Sequence, residues 1–116
     1  MDDSDMGEVC AYRAYMSYAS LRNVNCHNAD FVCADLRNTR LCCSNLSGAI
    51  VRYADLRGTD FTGCSLESAD LTAAITDSNT CFNKVTFNQY TIFPENVTPP
   101  PSACFVIATE QPEWIG

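Results

Sequence analysis

The sequence predicts an all-β solenoid, a chain wound into a square coil. Two observations carry this. Every fifth residue from Met16 is apolar: Met16, Leu21, Cys26, Phe31, Leu36, Leu41, Leu46, Val51, Leu56, Phe61, Leu66 and Leu71. At 47% apolar content, and with five frames allowed, chance produces such a run roughly once in two thousand sequences. Two residues before each member stands a small or β-branched residue, among them Ala14, Ala29, Ala34, Thr39, Ser44, Ala49, Ala54 and Thr59. A period of five fits neither the helical 3.6 nor the 2 of a simple strand. It requires a corner every five residues, with the small and the large apolar side chain both pointing inward. Four corners close a coil of about twenty residues, and successive coils stack at the strand spacing of about 4.8 Å.

Between the small and the large residue stands a polar one, often Asp or Asn, as in Ala29-Asp30-Phe31, Ala34-Asp35-Leu36, Ala54-Asp55-Leu56 and Ala69-Asp70-Leu71. This A(D/N)LXX pattern resembles the pentapeptide-repeat family, and the resemblance implies a right-handed quadrilateral β-helix, here of about four coils. It covers about two-thirds of the chain and is far more specific for fold than for function.

Each segment follows from this register. Residues 1–8 are acidic and read as an N-terminal arm or cap. The solenoid is expected over 9–93, since terminal repeats of a solenoid are atypical. Beyond Leu71 the register falters, and one extra residue near Asp77-Ser78-Asn79 reads as a widened corner. The expected columns of inward residues are then Ala11, Phe31, Val51, Leu71, Ile92; Met16, Leu36, Leu56, Thr76; Leu21, Leu41, Phe61, Phe82; and Cys26, Leu46, Leu66, Phe87. Within them Phe31, Leu36, Leu41, Leu46, Val51, Leu56, Phe61, Leu66 and Leu71 form the core ladder. Pro94 and Pro99–Pro101 end the regular coil, because proline removes the N–H that the next rung needs. Residues 94–116 read as a Pro-rich tail or cap whose apolar Phe105 and Trp114 pack on the last coil or on a partner.

The bulk properties narrow the function classes. The 116 residues make one domain, with no apolar run long enough to span a membrane. The acidic start lacks the apolar core of a secretory signal, so the expected location is cytoplasmic or within an intracellularly assembled particle. The net charge of −7 is concentrated at the ends, in Asp2, Asp3, Asp5, Glu8, Glu95, Glu110 and Glu113, while the acids and bases of the solenoid balance. Some family members inhibit gyrase as acidic DNA mimics, and a duplex mimic carries its charge along the rod. The neutral body weakens that alternative.

Eight cysteines invite a disulfide or metal reading. Vertical neighbours lie twenty residues apart, and no two cysteines have that spacing. Reduced thiols are therefore expected, with Cys104 alone able to reach back, for instance to Cys81. Adjacent Cys42 and Cys43 point in different directions, and no C-x-x-C pair exists for zinc. His27 is the one histidine and its register places it outside, which leaves no catalytic pair and no two-histidine metal site. Neither a cofactor nor a small-molecule substrate is indicated, and three neighbouring arginines (Arg37, Arg52 and Arg57) are too few for a nucleic-acid groove.

The outward positions are more informative. Tyr12, Val32, Ile50 and Tyr53 fall on one side of the coil, a tyrosine-bearing apolar composition favoured at protein interfaces. With Phe105 and Trp114 they form the candidate interface. The sequence thus points to a non-catalytic structural or protein-interaction module, binding a protein partner or copies of itself, as a subunit or decoration of a larger assembly such as a virion. The alternative is a DNA-mimicking inhibitor or protector of gyrase or topoisomerase.

Overall fold

The computed structural model describes residues 3–95 and 97–112. The chain forms a right-handed quadrilateral β-helix. Parallel bridges link each residue preceding an inward centre to its counterpart one coil on: Cys10 to Asp30, Asp30 to Ile50, Ile50 to Asp70. Two residues then turn the corner. The centre's carbonyl accepts the N–H of the residue three positions later, as Phe31 does from Ala34 at 3.0 Å and Leu36 from Thr39 at 3.1 Å. At the two-residue corners the second turn residue has positive φ, near +60° in Arg13, Tyr18, Cys33, Asn38, Cys43 and Tyr53 and slightly higher in Gly48 and Gly58, which is the geometry of a turn with a left-handed third residue.

Asp and Asn before the centre have a local task. Their side-chain oxygen accepts the N–H two residues on, closing the corner: Asp30 from Val32, Asn45 from Ser47, Asp60 from Thr62 and Asp70 from Thr72. Such self-caps are the habit of Asx residues in turns. The inward small residues add a second link where they carry a hydroxyl. Thr39, Thr59 and Thr80 donate to the carbonyls of Met16, Leu36 and Leu56 in the preceding coil.

Four columns of centres fill the interior. Side 1 carries Ala11, Phe31, Val51, Leu71 and Phe93; side 2 Met16, Leu36, Leu56 and Thr76; side 3 Leu21, Leu41, Phe61 and Phe82. Side 4 carries Met6, Cys26, Leu46, Leu66, Phe87 and Phe105. The nine residues of the expected ladder, Phe31 through Leu71, are all at most 1% exposed, each burial worth about 1.5–3 kcal/mol. Phe61 and Phe82 stack face to face at 5.0 Å, and Phe93 closes the upper end edge-on against Phe82 and Phe87.

Two features differ from the sequence reading, and a third decides between alternatives that it left open. Residues 3–8, read as an arm or cap, join the stack: Asp5 bridges Asn25, and the Met6 N–H meets the Asn25 carbonyl at 2.6 Å. The widened corner at 77–79 is present, but a second follows at 88–90. Asp70 bridges Ile92, so Phe93, not Ile92, is the inward centre and Ile92 is 39% exposed. Finally the tail turns back onto its own solenoid. Strand β1 (Thr86–Phe87) pairs in parallel with β2 (Cys104–Phe105), and the Gln89 side chain holds Ala108 through both its N–H and its carbonyl.

Candidate interaction face

Side 1 presents three outer columns. The positions before the centres hold Cys10, Asp30, Ile50, Asp70 and Ile92; the first turn positions Tyr12, Val32, Arg52 and Thr72; the second turn positions Arg13, Cys33, Tyr53 and Ala73. Tyr12 is 51% and Tyr53 61% exposed; Val32 is half-buried on the coil between them, and Ile50 is half-buried on the coil of Tyr53. Those four residues therefore share one side, on three consecutive coils. Phe105 does not join them. It tops the side 4 column against Phe87, with ring centroids 5.2 Å apart, and its exposed half is the end of the core. Trp114 lies outside the described residues.

The charges around this side are arranged differently from those elsewhere. On side 2, Arg37 and Arg57 each grip the aspartate of their own corner through two N–H donors, Asp35 and Asp55 respectively. The hydrogen bonds from Arg37 and Arg57 hold both carboxyls below their ordinary range, and the aspartates raise the arginines in turn. Arg52 on side 1 instead reaches up to Asp70, one coil above, through Nε alone. Asp70 is fully buried. Burial pushes its carboxyl up, but the Thr72 hydroxyl and N–H and the Arg52 guanidinium outweigh this and leave it below the usual value. Arg13 lies over the Tyr12 ring at 5.4 Å. Asp70 and Arg13 are the members of this side that the sequence reading did not single out. The one available signal was the eighteen-residue spacing from Arg52 to Asp70, which register converts into a diagonal contact between adjacent coils.

All eight cysteines are unpaired, with Cys10, Cys33, Cys43 and Cys104 exposed. Cys104 pairs its backbone with Thr86 rather than standing beside Cys81, so the considered Cys81–Cys104 bridge does not form. Burial, and then the hydrogen bond to Asp60, push the Cys42 thiol up to about 11. Burial also raises Cys26 to about 11 and Cys64 further. These are protonated fillers at neutral pH. His27 is exposed and its ring nitrogen meets the Asn28 amide at 3.0 Å. Among the described residues no three His, Cys, Asp or Glu side chains converge on a point that would hold a metal ion.

Comparison with known proteins agrees with this architecture. The family model for pentapeptide repeats matches residues 12–48 and 43–75, in eight copies. With more than half of its length so matched, the chain belongs to the pentapeptide-repeat family. Among solved structures it is similar to a pentapeptide repeat protein from Nostoc PCC 7120, at 26% identity and a TM-score of 0.81, over 88% of this chain and 84% of that one. A pentapeptide repeat protein of the Arabidopsis thaliana thylakoid lumen shares the fold at 22% identity and a TM-score of 0.63, over 76% of this chain and 64% of its own. One from the cyanobacterium Cyanothece 51142 does so at 21% and 0.63, over 80% and 65%. No curated protein is significantly similar to the chain.

Proposed function

We propose that this protein is a non-catalytic interaction module that docks a protein surface against side 1 and joins it to a larger assembly. The observation that carries this reading is the pair of exposed tyrosines, Tyr12 and Tyr53, with Val32 and Ile50 on the same rigid side. Backbone hydrogen bonds fix every rung beneath them, including Arg13 N–H to Val32 at 2.9 Å and Cys33 N–H to Arg52 at 2.9 Å. Little conformational entropy is therefore lost when a partner covers them. Tyrosine and arginine are also the residues that anchor interfaces most often. A DNA mimic needs unpaired carboxylates in file along the rod. Here Asp35, Asp55 and Asp70 are neutralised by Arg37, Arg57 and Arg52, which favours the interaction module over the gyrase-directed alternative.

The test is photocrosslinking in cells that express the protein, with benzoylphenylalanine replacing Tyr53 and, as control, replacing Thr62 on the opposite side. A discrete adduct from position 53 and none from position 62 is the expected result. Equal yields from both positions, or none from either, would sink the reading. Inhibition of DNA supercoiling by the purified wild-type protein would move the choice to the DNA mimic.

A further inference from the structure

The two turn columns of side 1 set tyrosine against arginine when the order of the coils is reversed. In the first turn position successive coils carry Tyr12, Val32 and Arg52; in the second they carry Arg13, Cys33 and Tyr53. The coil-1 pair is tyrosine then arginine, and the coil-3 pair is arginine then tyrosine. We propose that the partner of this side is a second copy of the chain, packed antiparallel about a two-fold axis that crosses coil 2; this deepens, and rests on, the interaction reading above.

The geometry follows from the register. A two-fold axis lying along the strand direction keeps each residue's place on the side and reverses the order of the coils. Tyr12, over whose ring Arg13 of its own chain already lies at 5.4 Å, then faces Arg52 of the other copy, and Arg13 faces its Tyr53, so each tyrosine stands opposite an arginine. Val32 meets Val32 and Cys33 meets Cys33 at the axis, and Cys10 meets Ile50. The second-turn residues leave the corner in one direction, because Arg13, Cys33 and Tyr53 share φ values of 58°, 59° and 60°. A guanidinium over an aromatic face contributes about 0.5–2 kcal/mol, more as water is excluded. Arg52 is tied to Asp70 by Nε only, which orients the guanidinium and leaves its two terminal nitrogens for the partner.

Alternatives fit worse. Parallel packing of two copies reverses the strand direction instead; it sets Tyr12 against Arg13 and Arg52 against Tyr53 as well, but an axis between the two turn columns leaves Ile50 uncovered and puts Val32, not Cys33, opposite Cys33. A nucleic acid would meet only two cations here, on a chain of net charge −7, where phosphate recognition calls for a run of them. The other sides lack this pairing: side 2 neutralises its own charges, side 3 has no aromatic residue in its turn columns, and side 4 presents His27, Ser47 and Glu67 in its first turn column. One pair opposes the assembly, since half-buried Asp30 meets its own copy. Three rungs of one side also make a small contact, below the roughly 1,200 Å² at which specific complexes become stable. The dimer is therefore weak and concentration-dependent.

Cys33 at the axis supplies the test. A chain with Cys10, Cys43 and Cys104 replaced by Ser is treated with oxidised glutathione. Two Cys33 thiols lose their protons and two electrons to form one disulfide, and the glutathione disulfide is reduced to two thiols. The control keeps Cys43 and replaces Cys10, Cys33 and Cys104; Cys43 occupies the same turn position, exposed, on the opposite side. Covalent dimer should form at least tenfold faster through Cys33. Arg52→Glu should remove that advantage, and Tyr12→Arg combined with Arg52→Tyr should restore it, because the swap preserves each cross-axis pair. Equal rates through Cys33 and Cys43, or failure of the swap to restore an advantage that Arg52→Glu removed, overturns the dimer. A position-53 photoadduct to a different protein without the Cys33 advantage overturns pairing of copies and leaves the interaction face standing; loss of both overturns both.

Discussion

A left-handed turn residue recurs at every regular corner, and the chain fills this place with whatever the outer surface requires. Asn and Gly adopt φ near +60° at low cost, but Arg13, Tyr18, Tyr53 and Lys84 hold the same value at roughly 1 kcal/mol or more each. Gly48, Gly58 and Gly63 mark three of these corners in the sequence, but the other corners carry varied residue types, so the turn geometry was legible only in part. The Asx caps were legible, because Asp and Asn recur one place before the centre. Gly58 offers a direct test. A Cβ there would stand 2.2 Å from Asn38 Oδ1 on a backbone with φ of +73°. Gly58→Ala should destabilise by about 1–2 kcal/mol in urea unfolding. Measured against Asn38→Ala alone, because Asn38 is itself a left-handed corner residue, the same Gly58→Ala change should recover the steric share and keep the backbone share. Full recovery would mean that the left-handed corner is unstrained.

Coils, rather than strands, are the elements here, and each is worth what its neighbours bury. Leu41 is fully buried between coils above and below, whereas Phe105 ends its column and is 52% exposed. Leu41→Ala should therefore cost about 2–5 kcal/mol, and Phe105→Ala, despite deleting more atoms, under about 2 kcal/mol. Chemical denaturation of the two variants checks the order, and a reversed order would refute the reading of Phe105 as a terminal rung. The same end effect explains what the sequence reading missed. Ser4-Asp5-Met6 is in register with Ala14-Tyr15-Met16, yet the acidity of the first residues masked it. At the other end Pro94 drew the boundary, and Phe93 was passed over for Ile92. A corner of three residues instead of two leaves no mark in composition; Asn88, which is buried there and bonds Tyr90 and Ser68, reads in the sequence like an Asn of any exposed turn.

Across the whole molecule, acid should be the weak point. Asp35, Asp55, Asp60, Asp70 and Asp77 all have folded carboxyls held below their ordinary value, against about 3.9 in the unfolded chain. Between the folded values and 3.9 the unfolded state binds more protons, so stability rises with pH through that window. The contribution is fully present above about pH 4–5 and is lost as pH falls through the folded values. Urea midpoints should be flat from pH 7 to about 5 and drop below about 4, with a shallower drop in Asp70→Asn. A gain in stability on acidification would show instead that repulsion within the net −7 outweighs these local partners. The solenoid itself was readable from one arithmetic feature, the period of five. The tail was readable only as a cap for the last coil or for a partner; its return to Thr86 depends on a stack that local sequence does not encode.

The twenty-residue interval between bridged residues, from the pair Asp5 and Asn25 to the pair Asp55 and Ile75, has a consequence at the level of the gene. One coil corresponds to roughly 60 nucleotides, and an in-frame duplication or loss of that length adds or removes a coil without moving any other residue off its side. Rod length can thus change in steps of about 4.8 Å, while shifts of one codon are absorbed only at the widened corners.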